Sequence, residues 1–338
     1  MFSRALRARA PAGPDRGGVA VRDPGDPTQS AAQSGLLGPI IARSPWYLRI
    51  PLDAFAHFLN SDGWAIASYI AFAVLAAMFP FLILVNALAG AIGSADLGVE
   101  AGRLLLGAWP REVAAPIAGD VQEVQTAVQN AGQSSTVVLG AILAVYFASN
   151  GVESLRIGLN RAYDVMETRS WWLLRAESIF YVLVSAIALL VVAVLVVFAP
   201  LLVETAARYV HWLAPLDRVG TLARLAVASA VLVIALVLLH LFLPAGRRRI
   251  RQILPGVVVT IFLWLAGGAG FGMYLAQYAN RTYVTTYAGL ASAMIALVFL
   301  YVSAAIFIYG GELNSAILRW RHERVLKETE RLVKTEGR

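Results

Sequence analysis

Long apolar runs separated by polar or charged connections fill most of this chain. Six of them fall at 64–89, 135–155, 176–202, 222–242, 253–274 and 287–308. A helix of about 20 apolar residues is long enough to cross the hydrocarbon core of a bilayer. A soluble monomer could not readily bury six such helices. The pattern therefore predicts an all-α, polytopic integral membrane protein with six transmembrane helices and additional interfacial helices. Before the first run, residues 46–60 set Trp46, Tyr47, Leu48, Phe55 and Phe58 among polar neighbours, as an interfacial helix does. Pro80 lacks an amide proton inside the first run and predicts a kink there. In the long connection 93–133, Leu104, Leu105, Leu106 and Trp109 could face the membrane surface, and 113–128 reads as a second surface helix.

Charge fixes the expected orientation. The N-terminal stretch, the second and fourth connections and the C-terminal stretch hold 22 of the 28 Lys and Arg residues. The positive-inside bias then puts both termini in the cytoplasm, and six spans return the chain to the side on which it began. Three units are expected: a flexible cytoplasmic tail over 1–43, a membrane domain over 44–318, and a charged cytoplasmic tail over 319–338. In that last tail, alternating acids and bases after Trp320 would support a short surface helix.

Composition narrows the chemistry. The mean hydropathy is +0.67 and charged residues make up only 14% of the chain. Cysteine is absent, which excludes disulfides, thiol catalysis and thiolate metal sites. The four histidines, His57, His211, His240 and His322, form no local metal motif. No cofactor is expected. The net charge of +7 does not point to nucleic acid, because the arginines sit beside membrane segments without a recognition module. Membrane phospholipids are the expected partners, together with a polar or amphipathic solute. Arg247, Arg248, Arg249 and Arg251 form a short basic turn suited to phosphate-rich headgroups.

Polar residues within the apolar background are the candidate site. Asn86 lies near the outer end of the first span and either bonds a neighbouring helix or lines a cavity, with Asp62 and Ser68 joining it only if the helices bring them together. Asp62 reads more simply as an interfacial cap. Asn150, Glu153, Arg156, Asn160 and Arg161 follow each other at the cytoplasmic end of the second span. Glu153 and Arg156 are three residues apart and share a helical face, and Asn160 and Asp164 have the four-residue spacing. A charge at this depth must pair, titrate or reach water. Glu153 thus either anchors the bundle or opens a vestibule, and Arg156 or Arg161 could hold a lipid phosphate. Glu312 and Asn314 stand at the end of the sixth span, where Glu312 could neutralise Arg156, Arg161 or Arg249. Gly267, Gly268, Gly270 and Gly272 make the fifth span either a close-packing face or a hinge. Such small-residue faces leave homo-oligomerisation open. His240 reads as a packed, hydrogen-bonded histidine or as a proton relay.

Several of these segments together resemble a known family. Ala67-Ser68-Tyr69 through Phe79-Pro80-Phe81, Asn150, Leu159-Asn160-Arg161-Ala162-Tyr163, the turn from Leu243-Pro244 to Arg251, Tyr283 through Gly289, and Gly310-Gly311-Glu312-Leu313 occur in the order found in the YihY or BrkB-like inner-membrane family, once labelled ribonuclease BN. The resemblance spans about 45–318. Two positions depart from it: Ala77-Met78 precedes Phe79-Pro80, and Ala245 replaces the asparagine that often follows the turn proline. The resemblance implies a bacterial inner-membrane location and three functional readings. These are a transporter or lipid translocator, a structural or interaction protein, and, with the least support from the residues, a ribonuclease. A deep polar cavity would favour the first, and a dry sealed bundle the second.

Overall fold

In the computed structural model, residues 41, 43–131, 135–209, 217–278 and 281–336 are described. The tail expected over 1–43 lies almost entirely outside them. Nine helices follow among the described residues: α1 (Trp46–Asn60), α2 (Gly63–Ala91), α3 (Ala95–Gly107), α4 (Arg111–Ala131), α5 (Ser135–Ala162), α6 (Trp171–Tyr209), α7 (Asp217–Phe242), α8 (Ile250–Tyr278) and α9 (Arg281–Glu336).

Among the described residues, four helical stretches are long and apolar enough to cross a membrane: Gly63–Ala91, Trp171–Val197, Ile250–Gln277 and Ala293–Thr335. Of α7, the described apolar part is the shorter Ser229–Phe242. The remaining expected span, α5, has 28 residues, but Ser149, Asn150, Glu153, Ser154 and Arg156 dilute its apolar character. Large apolar side chains point outward from these helices, among them Phe72, Phe180, Phe262 and Leu265. In water such a surface would be an association hazard, whereas hydrocarbon is its natural surrounding.

α2 is the hub and packs most extensively on α5 and α9. Small residues permit the approach. A side chain at Gly151 of α5 would meet Ala77 of α2 at 3.0 Å, and one at Gly158 would meet Ile70 at 2.7 Å. Pro80 sits inside α2 without ending it. The tightest crossing joins α8 to α9. There a methyl group on Gly256 would collide with the carbonyl oxygen of Gly310, and one on Gly310 with the hydroxyl of Thr260.

The long connection departs from expectation. It holds two helices rather than one, and both belong to the bundle. Val113, Ile117 and Val121, spaced by four, bury one face of α4 against Met78, Leu82, Leu275 and Ala296. Trp109 packs against Phe299 with tilted rings whose centres lie 5.6 Å apart, instead of facing the membrane surface. Leu97 and Ala101 of α3 pack against Leu190 and Ala193 of α6. A second difference concerns the C-terminal stretch. α9 runs through 56 residues without a break, so the charged segment after Trp320 prolongs the final helix rather than forming a separate one.

Candidate functional site

The polar residues singled out by sequence gather mainly at one end of the bundle, beside the arginine-rich connections. Contacts fix this grouping. Arg161 Nε of α5 donates to the Ser61 carbonyl at 3.3 Å, and Asn160 Oδ1 accepts from the Ala245 amide at 2.7 Å. The Asn160 Nδ2 group donates to Glu167 at 3.0 Å, so its amide joins two connections instead of forming a bond along α5. The end of α5 explains this. Asp164 adopts a left-handed φ of 51°, and Val165 N–H returns to the Asn160 carbonyl, which turns the chain sharply toward Glu167.

Glu153 lies between two arginines. Arg156 donates to it at 3.2 Å along α5, and Arg175 of α6 approaches at 3.3 Å. Arg175 also donates to Ser149 at 2.7 Å and Asn150 at 2.9 Å, and its guanidinium lies 4.4 Å from the Tyr146 ring centre. Arg156 is 3% exposed and donates to the Leu174 carbonyl and to Ser178. It is therefore a helix tie and is not free to hold a lipid phosphate. Beyond it, Arg169 clasps Glu167 with two 2.8 Å bonds and reaches Glu177 at 2.8 Å. The Arg169 side chain, opposed by partial burial and helped by its own amide and by Asn160, draws the Glu167 carboxyl from the usual 4.5 to about 2.

Glu312 corrects another expectation. It is fully buried, and its carboxylate meets His57 Nδ1 at 2.6 Å and accepts from Ser61 Oγ at 3.1 Å rather than neutralising Arg156, Arg161 or Arg249. The cause is geometric: α1 lies against α9, with Ala54 packed on Leu313 and Ala316, and this brings His57 over Glu312. Asn314, also fully buried, accepts from the Gly256 amide at 2.7 Å and donates to the Tyr163 hydroxyl at 3.1 Å. Burial pushes the Tyr163 phenol up to about 12.

Other expected roles divide. Asp62 does not cap α2 with its side chain; its left-handed backbone (φ 55°) turns the chain between α1 and α2, and its carboxylate lies 3.6 Å from Arg161. Ser68 bonds the Ala65 carbonyl, and Asn86 donates to the Leu82 carbonyl on its own helix. Arg247, Arg249 and Arg251 are exposed. Arg248 is not a headgroup contact: it folds inward over the Tyr163 ring at 3.9 Å and donates to the Ala245 carbonyl. The glycine segment does not break α8. Gly272 lies near Glu112, Gly268 near Pro110 and Gly267 near Ile306, whereas nothing lies within 4 Å of a side chain placed at Gly270. His240 is fully buried, donates its Nδ1–H to the Leu236 carbonyl at 3.0 Å, and packs its ring on Phe307 at 5.0 Å.

Above this polar end lies a cavity of about 510 Å³. Its walls come from α2, α5, α7, α8 and α9 and from the Trp109-Pro110 connection, with Ile70, Val74, Leu155, Trp264, Phe299 and Ala304 among them. Among the described residues, Ser303 is the one hydroxyl-bearing member of the lining. None of Asn86, Asn150, Glu153, Arg156, Asn160, Arg161, Glu312 and Asn314 borders it. No group of three or more metal-ligating side chains occurs among the described residues.

The profile of the family described as Virulence factor BrkB matches residues 54–333. The chain belongs to the BrkB family. A Bacillus subtilis relative, a ribonuclease-like protein named YfkH, is 26% identical over 265 residues, covering 78% of this chain and 94% of its own length. A UPF0761 membrane protein of Xanthomonas oryzae is 31% identical over 94 residues, 28% of this chain and 22% of that protein. No solved structure matches. This BrkB-family chain is thus a membrane protein, as its apolar helices also indicate.

Sequence reasoning missed His57 as the partner of Glu312, because 255 positions separate them. A signal was present: His57 lies on the amphipathic stretch expected to border the membrane, where an imidazole can reach an acid at the end of a span. Gly256 was also missed. Its neighbour Pro255 drew no attention to a glycine one residue later, and only the crossing with α9 reveals its role.

Proposed function

We propose that this BrkB-family protein is a six-span inner-membrane translocator of amphipathic solutes, lipids included, with both termini in the cytoplasm and phospholipids as its surroundings. The cavity is not the deep polar one expected of a translocator from the sequence, so what supports the reading is its 510 Å³ of apolar space among five helices, which suits an apolar tail. A fully polar solute would lose its hydration there without replacement hydrogen bonds, at a cost of several kcal/mol (about 2–7) for each polar group. An apolar tail would meet walls of its own kind. The arginine distribution supports the orientation, and the exposed Arg247, Arg249 and Arg251 suit anionic headgroups on the cytoplasmic face. α5 and α7, at 28 and 26 residues, are long enough to serve as the two further spans.

Reconstitution into liposomes tests the reading. Fluorescent lipid analogues and a panel of amphipathic solutes should cross faster with the protein than without it. Ala269→Trp, which fills the cavity from its wall, should abolish that flux while leaving the helix content unchanged. A folded, inserted wild-type protein that moves nothing in the panel would sink the proposal.

A structural or interaction role is the second reading. It is favoured by one observation: the polar residues at the basic end tie helix to helix instead of lining the cavity. A ribonuclease role, suggested by the name of the Bacillus relative, would show as RNA cleavage by the purified protein that is lost in Glu153→Gln.

A further inference from the structure

Glu312 is the one acid that is fully buried among the described residues. Its Oε2 lies 2.6 Å from His57 Nδ1, and its Oε1 accepts from Ser61 Oγ at 3.1 Å. Other charged groups surround the pair, and each has its own partner. On α1, Asp53 is held by Arg319 of α9 at 3.1 Å, and Arg49 lies 4.0 Å from Glu323. At the α1–α2 junction, Asp62 lies 3.6 Å from Arg161 of α5. The imidazole is therefore the group that can share a proton with Glu312 directly. The His57 side chain is 27% exposed, so the buried carboxylate has one neighbour that touches solvent.

The position of α1 gives this contact a consequence. Phe58, next to His57, is 2% exposed and belongs to the apolar cluster that also holds Ile70 and Ala304 and against which Val74 and Leu155 pack. Those same four residues line the apolar cavity. Phe58 does not itself line the cavity but belongs to the cluster that forms part of its wall, and the helix that carries it is held to α9 by the His57–Glu312 bond beside the Asp53–Arg319 pair.

We propose that His57 and Glu312 together form a proton-binding site whose proton latches α1, with Phe58, over the cytoplasmic end of the cavity. One proton on the pair makes it neutral overall, whether as imidazolium with carboxylate or imidazole with carboxyl, and the hydrogen bond holds in either form. Removal of that proton, through His57 to cytoplasmic water, leaves a buried carboxylate beside a neutral ring. An uncompensated buried charge is strongly unfavourable. Movement of α1 away from α9 relieves it by admitting water to Glu312, and the same movement withdraws Phe58. Opening of the cavity rests on the translocation reading; the proton site does not.

The chain has no cysteine, so paired spin labels can be placed without background. Phe55→Cys on α1 and Arg321→Cys on α9 are both exposed positions. The full-length, doubly labelled protein in phosphatidylethanolamine–phosphatidylglycerol liposomes is measured by pulsed electron paramagnetic resonance from mildly acidic to alkaline buffer. A longer α1–α9 distance should grow in as pH rises. Glu312→Gln, which bonds without charge, should keep the short distance throughout. His57→Gln, which leaves the carboxylate without its ring, should show the long distance even in mildly acidic buffer. A single invariant distance in the wild type would overturn the proposal. So would a pH response that survives in either variant, and the two variants guard against one failing to fold. Lipid flux in the same vesicles separates the two readings. Label movement without flux retains the proton site and removes translocation, whereas flux indifferent to Glu312→Gln removes the coupling.

Discussion

Replacing Gly256 by alanine probes the contact on which α8 and α9 depend. The added methyl would meet the Gly310 carbonyl oxygen and the Asn314 amide, with Asn314 Cγ at 2.6 Å. A backbone carbonyl cannot rotate away as a long side chain can, so the helices must separate. Overpacking of this kind costs about 1–3 kcal/mol. Separation also strains the 2.7 Å bond from Gly256 N–H to Asn314, and leaving that buried group unpaired costs about 1–3 kcal/mol more. Alanine regains about 0.5–1 kcal/mol through its lower entropy cost in a helix. The net expectation is a loss of about 3 kcal/mol. Gly270 supplies the control on the same helix: its added methyl meets nothing within 4 Å, so Gly270→Ala should be neutral or stabilising by about 0.5–1 kcal/mol. Unfolding in bicelles by steric trapping measures both. If Gly256→Ala matched the wild type, or Gly270→Ala lost as much as Gly256→Ala, the account of this crossing would be wrong.

Three further outcomes follow from the polar end. Arg156→Leu should destabilise the bundle by about 1–3 kcal/mol, since it removes the buried bonds to Ser178 and the Leu174 carbonyl and leaves Glu153 to Arg175 alone; a wild-type unfolding curve would refute this. Glu167 contributes stability that is complete above the ordinary carboxylate value of 4.5 and is lost as pH falls toward about 2, so the thermal midpoint should drop over that window and the drop should flatten in Arg169→Gln. Asn314→Leu should loosen α8 from α9 and speed amide exchange around Gly256, while the remote Asn86 region keeps its exchange rates.

Much of the architecture was legible because hydrocarbon length is a local property. Runs of apolar residues fix where α2, α6, α8 and α9 lie, and the Glu153–Arg156 contact follows from helical spacing alone. α3 and the docking of α4 were not legible in the same way. Their apolar positions are too few to mark a span, and an amphipathic face looks alike whether it meets lipid or protein. The site shows the same divide. That Glu312 needs a partner follows from burying a carboxylate; that the partner is His57 follows only from the packing of Ala54 on Leu313 and Ala316. The glycines show it too. Composition draws the eye to Gly267–Gly272, yet the decisive close approach lies at Gly256, where one carbonyl from another helix leaves no space for a methyl.

The unbroken course of α9 has a mechanical corollary. At 1.5 Å per residue, 56 residues make a rod of about 84 Å, more than twice the thickness of the hydrocarbon layer. Its upper half forms part of the cavity wall, while its last turns stand clear of the bundle as a mast. Because no hinge interrupts it, any torque applied to the mast would reach Phe299 and Phe307 as a rotation of the wall, and any tilt of the wall would sweep the mast's tip through the surrounding water.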